Sequence, residues 1–143
     1  ATDSGADALV ALCGLGIGLT PSGDDALVGM LALARRAGRA TGTCEEFAER
    51  LDEGMSTEVS LDYLRLALGG EFSIPVLRLM DALGARVAPT AQSDSPAPAT
   101  QIDRPALAVA VREVARIGHS SGADLLAGVA ALGEFLADQE ETA

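Results

Sequence analysis

The sequence predicts an all-α fold: a single compact helical domain of about six to seven helices with two echoed loop–helix starts. Three observations carry this. Apolar residues recur at i, i+3, i+4 and i+7 along most of the chain, as one face of a helix requires. Hydrophobic residues make up 48% of the sequence and aromatics only 3%, so the core is built from Leu, Ala, Val and Ile. Ala and Leu favour helix, and small side chains let helices approach closely. No stretch alternates as a half-buried strand would. The length of 143 residues suits one domain spanning residues 1–143.

The elements follow in order. A short helix is expected near Ala6–Leu12, then a glycine loop, Gly14-Leu15-Gly16-Ile17-Gly18-Leu19. A helix from about Ser22 to Ala37 carries the stripe Leu27, Met30, Leu31 and Ala34, and Gly38 stops it. Cys44–Gly54 reads as amphipathic, with Phe47 and Leu51 opposite Glu45, Glu46, Glu49 and Asp52. Ser56–Leu68 follows, with Val59, Tyr63, Leu66 and Ala67 on its expected inner side and Gly69-Gly70 at its end. Ile74–Val87 opens with Pro75 and ends near Gly84. Residues 89–102 lack periodicity and read as a flexible connection inside the domain, not a boundary. Asp103 caps a helix with Pro105 in its first turn, through Ala108, Val111 and Ala115 to Ile117. The last helix runs from Ser121 to about Ala137.

The internal echo is the most informative feature. Ser22-Gly23-Asp24-Asp25-Ala26-Leu27-Val28-Gly29 matches Ser121-Gly122-Ala123-Asp124-Leu125-Leu126-Ala127-Gly128. Each copy follows a small-residue loop and begins an apolar helix. One reading is local: Ser as N-cap and Asp at N3 form a capping-box-like pair, with the later glycine admitting a neighbouring helix. The other is a ligand site shared by both starts. Glycines at 14, 16 and 18 exceed what a cap needs, and suit a backbone that turns sharply and offers N–H groups to an anion. Asp24 is also surplus, since the second copy has Ala123 there, and adjacent carboxylates repel unless a cation or donor intervenes. Gly29 and Gly128 are expected to bring the two helices together.

His119, the only histidine, stands two residues before the second start. Read blandly it is structural; read functionally it is a catalytic group beside an anion site. Ser56 or Thr57 is the expected cap of its helix. Ser56, Thr57, Ser60 and Tyr63 lie at one end of that helix and within reach of the same cavity.

Net charge is −11, with 21 acidic against 10 basic residues. That disfavours nucleic acid and anionic membrane surfaces as partners, but not a small anionic metabolite held by backbone amides. Cys13 and Cys44 are too few for a disulfide framework or zinc site, and Cys13 reads as a buried small hydrophobe. With no apolar run of membrane-span length and no signal peptide, a cytoplasmic location is expected.

The segments Gly14–Asp25 and Gly118–Gly128 resemble the two signature segments of the AllH family (also called YlbF-like). Ser56-Thr57-Glu58-Val59-Ser60 resembles a middle signature, and the likeness runs from Leu12 to about Leu132. The resemblance implies a subunit of an oxamate carbamoyltransferase. Such an enzyme moves a carbamoyl group between carbamoyl phosphate and oxamate in purine (allantoin) catabolism, beside FdrA-like and AllG-like partner subunits. It also implies that full-length relatives carry a further N-terminal part, this chain matching the helical C-terminal portion. Two positions depart from the family pattern: Ala123 where a bulky aromatic is expected, and Met55 where a basic residue is expected. Both changes alter pocket shape and charge, which puts oxamate itself in question.

The candidate substrate-binding residues are Gly16, Gly18, Thr20, Ser22, Gly23, Ser56, Thr57, Ser60, Ser120, Ser121 and Gly122. His119 and Asp24 are the candidate catalytic groups. Asp24, Asp25 and Asp124 are candidate ligands for Mg²⁺, which would offset their repulsion of a phosphate, since neither motif contains an arginine. Three functions compete: the carbamoyltransferase subunit, a Mg²⁺-dependent hydrolase or phosphotransfer domain, and a non-catalytic interaction subunit.

Overall fold

The computed structural model describes residues 5–39, 42–84 and 102–143. Seven helices occupy them, with no strand among the described residues: α1 (Gly5–Leu12), α2 (Ser22–Arg36), α3 (Gly42–Arg50), α4 (Glu58–Gly69), α5 (Ile74–Ala82), α6 (Arg104–Ala115) and α7 (Ser121–Glu141). The protein is all-α, as its periodicity predicts. The connection expected over 89–102 lies outside the described residues, save Ile102; α5 ends at Ala82 with Leu83 as its C-cap, short of the expected Val87, and residues 85–87 lie outside the described residues.

Helix α2 organises the molecule because it is apolar on two faces. Leu27 and Leu31 face one cluster with Phe47, Leu64 and Ala67, drawn from α3 and α4 and flanked by α1. Ala32 and Leu33 face a second cluster with Val76, Leu79, Met80, Ala110, Val114, Leu125 and Val129, from α5, α6 and α7. The most extensive helix pairing is α2 with α7. A Cβ added at Gly29 would overlap the Leu125 carbonyl, and one at Gly128 would overlap the Ala26 carbonyl. The two contacts are equivalent under the sequence echo, since Ala26 and Leu125 correspond. Glycine is required at both places because the backbones touch there.

Several local expectations are corrected. Helix α3 ends at Arg50, short of Gly54, and α7 continues to Glu141. On α4 the buried residues are Ser60, Leu61, Leu64 and Ala67, while Val59, Tyr63 and Leu66 are exposed. The helix is turned so that Ser60 meets Asp24, and an apolar stripe is left outside. On α6 Ala110 and Val114 are buried, and Ala108 and Ala115 are not. Thr57 is the N-cap of α4 and accepts from the Ser60 N–H at 3.1 Å. Asp103 caps α6 through the Ala106 N–H at 3.1 Å.

Candidate functional site

The echoed helix starts meet. Neither works as a capping box: the N-caps are Pro21 and Ser120, and neither makes a side-chain cap bond. The hydroxyl and carboxylate of each copy face the other copy instead. The Ser22 hydroxyl donates to Asp124 Oδ2 at 2.9 Å, and the Ser121 hydroxyl stands close enough to the Asp25 carboxyl to lower its pKa. The placement is symmetric under the echo, and Thr20 Oγ1 lies 3.0 Å from Ser121 Oγ. Motifs about a hundred residues apart thus form one polar cluster, held by the glycine contacts further along α2 and α7.

Asp24 and Asp25 face different ways, and the expectation that both face a ligand is corrected for Asp24. Its side chain is 1% exposed. It accepts from the Gly14 N–H at 2.7 Å, from the Ser60 hydroxyl at 2.7 Å and from the Ser56 hydroxyl. Its surplus charge is answered by these donors, so it fastens the glycine loop to the start of α4. Ser56 and Ser60 are correspondingly turned to Asp24, and the Thr57 hydroxyl donates to the Leu19 carbonyl. Burial, and then the Asp24 charge and hydrogen bond, push the Cys13 thiol up to about 12. It is kept protonated, which rules it out as a nucleophile at neutral pH.

Asp25 lines a cavity of about 500 Å³. Its Oδ2 is buried without a hydrogen-bond partner among the described residues. Burial raises its carboxyl above the ordinary 3.8; the Ser121 and Thr20 hydroxyls lower it, and the Asp124 and Asp24 charges raise it further. The rest of the lining is Thr20, Val28, Tyr63, Leu66, Glu71, Phe72, Ser73, Val76, Ile117, Ser121 and Leu125. A polar end of hydroxyls and carboxylates therefore opens into a largely apolar space.

The remaining candidates are placed as follows. Gly16 and Gly18 lie on the exposed loop with positive φ of 123° and 93°, which suits glycine. Ser22 and Ser120 are exposed, and Asp124 is half-buried beside Ser22. Gly23 and Gly122 are buried where a Cβ would overlap the Leu12 and Val114 carbonyls, so they serve close packing and do not face the cavity. His119 is exposed and outside the cavity lining. The set Asp24, Asp25 and Asp124 does not form a metal cage: Asp24 is committed to its three donors, and no group of three metal-binding side chains occurs among the described residues.

Tyr63 lines the cavity as expected, whereas sequence reasoning missed the rest of its apolar wall, made by Leu66, Phe72, Val76 and Ile117. The available signal was Ser60, whose buried hydroxyl fixes the rotation of α4 and turns Tyr63 and Leu66 outward.

The family model described as "Oxamate carbamoyltransferase subunit AllH" matches residues 12–132. No solved structure matches the chain. Among the described residues no helix is long and apolar enough to cross a membrane.

Proposed function

The chain belongs to the AllH family, and on that footing we propose that it binds substrate in an oxamate-carbamoyltransferase-like assembly, at the paired starts of α2 and α7. The observation that carries this reading is the Ser22–Asp124 hydrogen bond between the two starts, with Ser121 and Asp25 side by side in the lining of a cavity. A pair of caps needs no such convergence, whereas a ligand site does.

Carbamoyl transfer joins the acceptor's nitrogen to the carbamoyl carbon as phosphate leaves. It calls for positioning and for donors to the developing oxyanion, and needs no covalent enzyme nucleophile. In this chain the Thr20, Ser22 and Ser121 hydroxyls and the Gly16 and Gly18 N–H groups are the donors at hand. His119, on the exposed turn before α7, is within the same motif and is kept as a candidate acid. Among the described residues that line the cavity none is basic. The charge that balances a small anionic substrate therefore comes from a partner, of which FdrA-like and AllG-like subunits are the candidates. The metal-dependent alternative loses its three-carboxylate set, because Asp24 is already engaged.

The test is phosphate release from carbamoyl phosphate and oxamate, measured for the chain alone and together with FdrA-like and AllG-like subunits. Activity is expected only in the mixture, and Ser121→Ala should lower it about tenfold or more, the scale of losing a donor to a charged group. Full activity of Ser121→Ala and Thr20→Ala in the mixture would overturn the reading.

A further inference from the structure

A cavity of about 500 Å³ lies within the range of roughly 300–1,000 Å³ that holds drug-sized ligands. A two-carbon acid fills a small part of it. Its walls are apolar where Val28, Leu66, Phe72, Val76 and Leu125 line it. At its polar end Asp25 presents a buried Oδ2 with no partner, next to the Thr20 and Ser121 hydroxyls. A buried polar atom left unpaired is costly, and a bound group that pairs with it recovers that cost. An anionic head placed there would meet Asp25, with Asp124 and Glu71 nearby, and no basic residue among the described residues of the lining.

We propose that this cavity takes a ligand with an uncharged amide or urea head paired to Asp25 and an apolar body against Leu66, Phe72 and Val76. The inference rests on reading the helix starts as the substrate site, and it names the chemical class that site accepts. An amide suits Asp25 in either protonation state. Its N–H donates to the ionised carboxylate, and its carbonyl accepts from the neutral acid. The apolar body occupies surface that a small hydrophilic acid leaves wet. The carbamoyl acceptor is then larger and less polar than oxamate.

Calorimetry on the 143-residue chain at neutral pH tests this with three probes: isovaleramide, isovalerate of the same shape, and oxamate. Isovaleramide should bind most tightly, with isovalerate weaker by roughly tenfold or more. Asp25→Asn should narrow that gap. Leu66→Ala alters a half-exposed residue and leaves the core intact; it should weaken isovaleramide roughly threefold and leave oxamate unchanged. Equal or tighter binding of isovalerate, no saturable binding of isovaleramide, or indifference to Leu66→Ala would overturn the proposal. If oxamate alone binds, and Ser121→Ala abolishes it, the amide proposal fails while the helix-start reading stands. If isovaleramide binds as expected but carbamoyl transfer ignores Ser121→Ala, the helix-start reading fails, and so does the assignment of this class to a substrate site.

Discussion

Replacing Asp24 by Ala leaves the Gly14 N–H and the Ser56 and Ser60 hydroxyls without their acceptor in a site closed to water. The expected cost is about 3 kcal/mol, read by chemical denaturation. Asp24→Asn should be milder but still more damaging than Asp25→Asn, the reverse of what the sequence suggests when Asp25 is taken as the cap. The neighbouring carboxyl behaves differently with pH. Because folding raises the Asp25 value above 3.8, the native chain holds this proton more firmly than the unfolded one. The stability it contributes is present below the ordinary value and is lost as pH rises through the raised one. Wild type should therefore lose stability relative to Asp25→Asn as pH increases across that window. Melts at stepped pH check this, and parallel curves would refute it. Ile17, 93% exposed, provides the contrast: Ile17→Ser should change stability by less than about 0.5 kcal/mol.

At the scale of elements, the α2–α7 pair is the part most open to test. Gly29→Ala and Gly128→Ala each force a Cβ against a carbonyl of the other helix, and each should cost about 1–3 kcal/mol. Once one substitution has parted the helices the second meets less resistance, so the double variant should cost less than the sum. Additive losses in denaturation would show that the two contacts are independent. These glycines were legible in the sequence because the echo placed them at equal distances from Ser22 and Ser121. The starts and types of helices were legible too, through periodicity, Asp103 and Pro105. The rotation of α4 was not, because Tyr63 and Leu66 look like core residues until Asp24 is known to hold Ser56 and Ser60. Periodicity identifies an apolar face but does not say whether a protein core or a cavity lies against it. The Ser22–Asp124 bond between the two starts was likewise hidden, since the same residues satisfy a local capping pattern and only the packing of α2 on α7 turns them across.

On the scale of the whole molecule, a net charge of −11 is spread over a small body. Self-repulsion of this kind weakens the compact state and is screened by salt. The midpoint of thermal unfolding should rise between roughly 0.05 and 0.5 M sodium chloride, where the Debye length shrinks several-fold; a fall would place the net electrostatics of folding in attractive pairs instead. The closest approach of α2 and α7 has a further consequence for how guests are admitted. Gly29 and Gly128 lie two turns beyond Ser22 and Ser121, so the gap between the helix starts is set by touching backbones and no side-chain rotation widens it. That side of the cavity is an aperture already cut to size. The opposite side is α4, whose Tyr63 and Leu66 stand partly in solvent and whose first turn is tied to the loop through Asp24. Guests of different girth are met there by side chains with solvent to turn into, on a frame of helices that itself stays put.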